Sequence, residues 1–93
     1  MNDYKITRYS YKKAKQLGVT IRLSTRKNKK LDVYRNNKKI ASIGALGYGD
    51  YPTFMKTEGI VSANNHRKKY KTRHAKDRKV IGTPGYYADQ LLW

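Results

Sequence analysis

The sequence predicts an α+β domain: a small antiparallel sheet built on a central hairpin, packed with a short N-terminal helix, a long basic helix and a short C-terminal helix. Three observations predict it. Apolar residues alternate on both sides of an Asn36-Asn37 pair, the pattern of two strands joined by a tight turn. A stretch from Ser62 to Lys79 runs without Gly or Pro, as a helix requires. The chain has 93 residues, which is room for one core, so residues 1–93 are read as a single basic domain.

Tyr9 to Gly18 reads as a short helix. Ser10 stands at its expected N-cap, Tyr11, Ala14 and Leu17 recur on one face, and Gly18 suits a left-handed C-terminal cap. Val19 to Leu23 alternates Val19, Ile21 and Leu23 against Thr20 and Arg22, a strand pattern of period two. Ser24 to Lys30 is a polar, basic loop. Leu31 to Arg35 and Lys38 to Ile43 are the hairpin strands, with Asn36-Asn37 as the turn, because Asn tolerates positive φ.

The glycine-rich stretch from Gly44 to Pro52 is expected to be a compact turn, with Tyr48, Tyr51 and Phe54 folded back on the core. It lacks the Gly-Lys-Ser/Thr of a phosphate-binding loop and the spacing of a dinucleotide fingerprint. In the long helix Ser62–Lys79, Ser62 is the expected N-cap. Ala63, His66, Arg67, Tyr70, His74 and Asp77 share one face, and Lys68, Lys69, Thr72, Lys76 and Lys79 the opposite one. The first face is weakly apolar, so docking rests on Tyr70 and the His rings. Pro84-Gly85 suits a type II turn. Tyr86 to Trp93 is dense in apolar residues at helical spacing, either a plug that completes the core or an anchor for a partner's pocket.

Charge points to function. There are 22 Lys and Arg against six acids, a net charge of +16. Such a surface repels itself, and a polyanion relieves that repulsion while releasing counterions. The cations fall in three clusters, Lys5–Lys15, Arg22–Lys39 and Arg67–Lys79, with only Lys56 outside them. The expected nucleic-acid contacts are Arg67, Lys68, Lys69, Lys71, Arg73, Lys76 and Lys79 on the long helix. Arg26, Lys27, Lys29, Lys30, Lys38 and Lys39 around the hairpin support them. Tyr34 could stack on an exposed base or cover its own sheet. No set of Asn, Gln and Arg is arranged to read base edges, so binding is expected to ignore sequence.

Other chemistries find little support. No cysteine is present, which removes disulfides and thiolate zinc sites. His66 and His74 stand on one face, but eight residues of helix separate ligands by roughly 12 Å, too far for one ion; no metal and no cofactor are expected. His74 and Asp77 can pair directly. The six acids are scattered, without the nucleophile–base pairing of an enzyme, so no catalytic residue is assigned. Met1 to Ser10 has no apolar core of a signal peptide and no run reaches membrane-spanning length; neither secretion nor a membrane or small-molecule partner is expected.

A resemblance spans most of the chain. It rests on Tyr11–Val19, on Ile40-Ala-Ser-Ile-Gly-Ala-Leu-Gly-Tyr-Gly-Asp-Tyr-Pro-Thr53, on Tyr70-Lys-Thr-Arg-His-Ala-Lys-Asp-Arg78 and on Gly82-Thr-Pro-Gly-Tyr-Tyr-Ala-Asp-Gln-Leu-Leu-Trp93. These segments resemble small basic proteins encoded by nucleocytoplasmic large DNA viruses of the phycodnavirus and mimivirus groups. The resemblance implies a viral protein of the virion or of the viral factory in the host cytoplasm, and brings no catalytic residue with it. The leading expectation is therefore a non-catalytic virion protein that binds nucleic acid, DNA ahead of RNA, in genome compaction or packaging. The alternative is a minor capsid or cement protein docking on acidic capsid partners, and the third is a small nuclease using His66 and His74.

Overall fold

The computed structural model describes residues 2–93. The elements are α1 (Arg8–Leu17), β1 (Thr20–Leu23), β2 (Lys29–Arg35), β3 (Lys38–Ala45), α2 (Tyr51–Glu58), α3 (Ile60–Arg73), a 3-10 turn (Asp77–Lys79) and α4 (Pro84–Leu92). The strands form one antiparallel meander in the order β1-β2-β3. The molecule is thus α+β, as its sequence pattern requires.

The hairpin forms around the expected turn. Arg35 faces Lys38 across a two-residue loop, and Asn36 and Asn37 take φ of 51° and 63°. Two left-handed residues define the turn whose twist matches that of paired strands. The register then shifts: Tyr34 faces Lys39 while Val33 faces Ala41, so Ile40 is the extra residue of a bulge.

Leu31, Val33, Ala41 and Ile43 point from the sheet into the core, where Ala14 of α1 and Tyr87, Leu91 and Leu92 of α4 meet them. Leu31, Val33 and Leu91 have no exposed surface at all. The closing segment is therefore a plug of this core. Ser10 serves it in a way its sequence position hides. Thr7, not Ser10, caps α1, its hydroxyl accepting from the Ser10 N–H at 3.2 Å. Ser10 itself is buried, and its hydroxyl donates to the Leu91 carbonyl at 2.7 Å. Gly18 takes the left-handed cap with φ of 73°.

Three further expectations are corrected. The stretch from Gly44 to Pro52 is not simply turn: Gly44 and Ala45 end β3, and Tyr51 and Pro52 begin α2. The Asp50 carboxylate accepts from the Thr53 N–H at 3.1 Å, and Pro52 sits in the first turn of α2, where its missing N–H costs nothing. Tyr51 is buried there, but Tyr48 is 76% exposed. The long helix is shorter than expected. It starts at Ile60 after Gly59, whose φ of 90° suits the sharp turn between α2 and α3, and it ends at Arg73. Ser62 is no cap; its hydroxyl donates to Glu58 at 2.6 Å. The C-terminal end of α3 is closed from a distance, because Arg78 Nε donates to the Lys71 carbonyl at 3.2 Å and so satisfies one of the open carbonyls of a helix terminus. Pro84-Gly85 opens α4 behind the Thr83 cap rather than forming a separate turn.

Candidate nucleic-acid interface

Half of the six acids are turned inward. Asp32, Asp50 and Asp89 are buried, and each holds a lysine: Asp50 with Lys30 at 3.0 Å, Asp89 with Lys71 at 2.9 Å and Asp32 with Lys39 at 3.7 Å. Burial would raise the Asp32 carboxyl. Hydrogen bonds from the Ser24 and Ser42 hydroxyls and the Thr25 N–H, with the Lys39 charge, instead hold it below the usual carboxylate range. Asp50 behaves alike: burial pushes it up, while Thr53, Tyr4 and Lys30 bring it down. The Tyr4 hydroxyl donates to Asp50 at 2.6 Å, so burial and the adjacent carboxylate both raise the phenol. Glu58 and Asp77 are spent on His66 and His74, each pair at 3.1 Å.

The consequence is a surface of unmatched cations. Of the 22 Lys and Arg, only Lys30, Lys39 and Lys71 lie within salt-bridge distance of a carboxylate among the described residues. The three buried acids escaped the sequence reading because each stands in an ordinary strand, cap or helix position. Only Asp50, just before Tyr51-Pro52, carried a readable signal, that of an N-cap.

The structure sorts the expected contacts. Lys68, Lys69 and Arg73 lie on the exposed face of α3 together with Thr72. Lys29 joins Lys69 and Arg73 along one cleft, at the end of the sheet that also carries Arg26 and Lys27. Lys68 and Lys71 line a shallow depression on the other flank of α3, with Arg67 and Arg78.

Others are displaced. Lys30 is 3% exposed and committed to Asp50, so it does not reach a phosphate: a lysine inside a basic loop sequence lies instead beneath it. Arg67 belongs to the docked face, its guanidinium 3.4 Å from the Tyr51 ring centre and donating to the Tyr9 hydroxyl at 3.3 Å. Lys76 and Lys79 are exposed but lie past the end of α3, so they do not extend its cationic face. Lys38 and Lys39 sit at the hairpin turn, the opposite end of the sheet from Arg26 and Lys27. A seven-residue strand such as β2 keeps those groups roughly 20 Å apart. Tyr34 is half-buried under the Arg22 guanidinium, 4.9 Å from its ring centre, the covering role rather than the free one.

His66 and His74 are both part of an aromatic chain. His66 stacks on Phe54 at 3.7 Å, Phe54 leans on Trp93 at 6.1 Å, Trp93 stacks on Tyr70 at 4.5 Å and Tyr70 meets His74 at 4.4 Å. Tyr70 is buried, and its hydroxyl is pushed up to about 12 by that burial and by the charges of Asp89 and Asp77. Among the described residues no three His, Cys, Asp or Glu side chains gather as a metal site. No helix there is long and apolar enough to cross a membrane.

Residues 19–53 match the model of a family of unknown function, DUF5754. The match covers the sheet and the glycine-rich turn and stops at the start of α2, so it leaves out α3 and α4. No curated protein and no solved structure matches the chain.

Proposed function

We propose that this protein is a non-catalytic nucleic-acid-binding protein that engages the phosphate backbone without regard to sequence. The observation that carries the reading is the division of charge: the buried acids take three lysines inward or sideways, and the exposed face of α3 presents Lys68, Lys69 and Arg73 with no carboxylate opposite them. Cations held at this density on a helix gain nothing from one another, and phosphates supply what they lack. Phosphate contact fixes position without reading bases. The viral resemblance of the sequence makes genome packaging in a virion the setting we favour. Titration of a random-sequence duplex at several salt concentrations tests the reading. Affinity is expected to fall steeply with salt and to vary little among sequences, and absence of binding at low salt would overturn it.

One observation favours a second reading, docking on acidic capsid proteins. Met55, Ile60 and Val61 are exposed around the α2–α3 turn, at 41%, 58% and 74%, and Val80 and Ile81 are exposed after the 3-10 turn. Nucleic acid has no use for such a surface. Fractionation of purified particles separates the two: recovery with the genome supports the first, recovery with an emptied shell the second.

A further inference from the structure

The cleft between β3, α3 and α4 is larger than a phosphate contact needs. Its volume is about 740 Å3, within the range of pockets that enclose an organic ligand, roughly 300–1,000 Å3. Its wall is the aromatic chain of Phe54, His66, Tyr70, His74 and Trp93, and its rim carries Lys29, Lys69 and Arg73. Gly49 and Gly85 also line it, and each is packed directly against a wall residue. A Cβ at Gly49 would stand 2.3 Å from the Phe54 ring, and one at Gly85 would stand 3.1 Å from Asp77. His66 lies within hydrogen-bond distance of the Glu58 carboxylate and His74 of the Asp77 carboxylate, each at 3.1 Å.

Aromatic rings beside fixed cations are the chemistry by which proteins hold unpaired bases: the rings accept the base face and the cations track the phosphates. A paired duplex keeps its bases stacked inside and offers the rings nothing. We infer that this cleft receives unpaired nucleotides of a single-stranded nucleic acid, a base against the Trp93 and His74 rings that flank the buried Tyr70 and the flanking phosphates on Lys69, Arg73 and Lys29. The inference rests on the nucleic-acid reading above and adds a strand preference that charge alone does not produce. Contact through the ring faces tolerates any base, in keeping with binding that ignores sequence.

Trp93 is the only tryptophan in the chain, so its emission reports the cleft directly. The full chain is titrated, at one salt concentration, with three probes of equal length: an oligothymidylate, an abasic deoxyribose-phosphate strand and a duplex. The expected result is quenching of Trp93 by oligothymidylate, little by the other two, and an affinity for oligothymidylate at least about 10-fold above that for the abasic strand. Stacking worth about 1–3 kcal/mol per base sets that scale. Replacing Lys69 and Arg73 together by Gln changes only exposed positions; it removes phosphate contacts that both strands share, so both affinities are expected to fall while their ratio holds. Equal binding of the thymidylate and abasic strands without quenching would overturn the cleft assignment while leaving the electrostatic reading intact. Undiminished affinity for both strands in the K69Q/R73Q variant would also overturn it, because the phosphates beside the base would then be held elsewhere. No binding of any probe would sink both readings.

Discussion

The α1–sheet–α4 half of the molecule and its α2–α3 flank are held together by different chemistry. In the first half, Leu31, Val33, Ile43, Leu91 and Leu92 interlock with almost no exposed surface, and burial of aliphatic area supplies the cohesion. In the second, only Ala63, Tyr51 and Tyr70 are buried. The rest is held by ring stacks, by Arg67 over Tyr51 and by paired carboxylates. The comparison shows how so charged a chain folds at all. It concentrates its aliphatic residues on one side of the sheet. The flank is left to groups that pack while remaining half polar, and that is the side carrying the cleft and the cationic helix face.

The seam between the halves is Asp50, which caps α2 and at the same time binds Lys30 of β2 and Tyr4. Asp50→Asn leaves a buried lysine without its counter-charge, and the expected cost is about 3–5 kcal/mol, measured by denaturant unfolding. The same residue sets an acid limit. The Asp32 and Asp50 carboxyls lie below their ordinary range in the fold. Their contribution is therefore complete above the unfolded value, about pH 4. It is lost as pH falls through the lower folded values, since protons then bind the unfolded chain first. Melting temperatures recorded at falling pH are expected to drop steeply below that point, and less steeply in the Asp50→Asn variant.

In the aliphatic half, Leu92→Ala is expected to cost about 2–5 kcal/mol, through lost burial and the cavity left behind. The flank gives the smallest effect. Arg67→Met keeps the length of the side chain but removes the cation over Tyr51, and about 0.5–2 kcal/mol is expected from that loss. A result larger than that of Leu92→Ala would reverse the ranking of the two halves.

The same division governs what the sequence could show. The sheet half was legible because its signals are local: the Asn36-Asn37 turn, the alternation of Leu31 and Val33, the glycine at Gly18. The apolar density of Tyr86–Trp93 likewise reads as core, as it proved to be. The flank was not legible for the converse reason. Nothing near His74 in the sequence stops a helix, because the group that closes α3 is Arg78 reaching back to the Lys71 carbonyl. Lys30 looks like its exposed neighbours, because the carboxylate that draws it inward is twenty residues away. The cleft is assembled from β3, α2, α3 and α4, so no single segment announces it. Lys68, Lys69 and Arg73 were legible as site candidates because an exposed helix face needs only its own spacing.

The most direct test of the account is the salt dependence of duplex binding by two variants. One replaces Lys68, Lys69 and Arg73 by Gln, which keeps good helix propensity; the other replaces Lys38 and Lys39 at the far end of the sheet. Each lost phosphate contact makes the slope of log affinity against log salt shallower by about one. The account predicts a clear loss of slope in the helix variant, at every sequence tested, and little change in the hairpin variant. The reverse pattern, an unchanged slope in the helix variant and a shallower one in the hairpin variant, would contradict it.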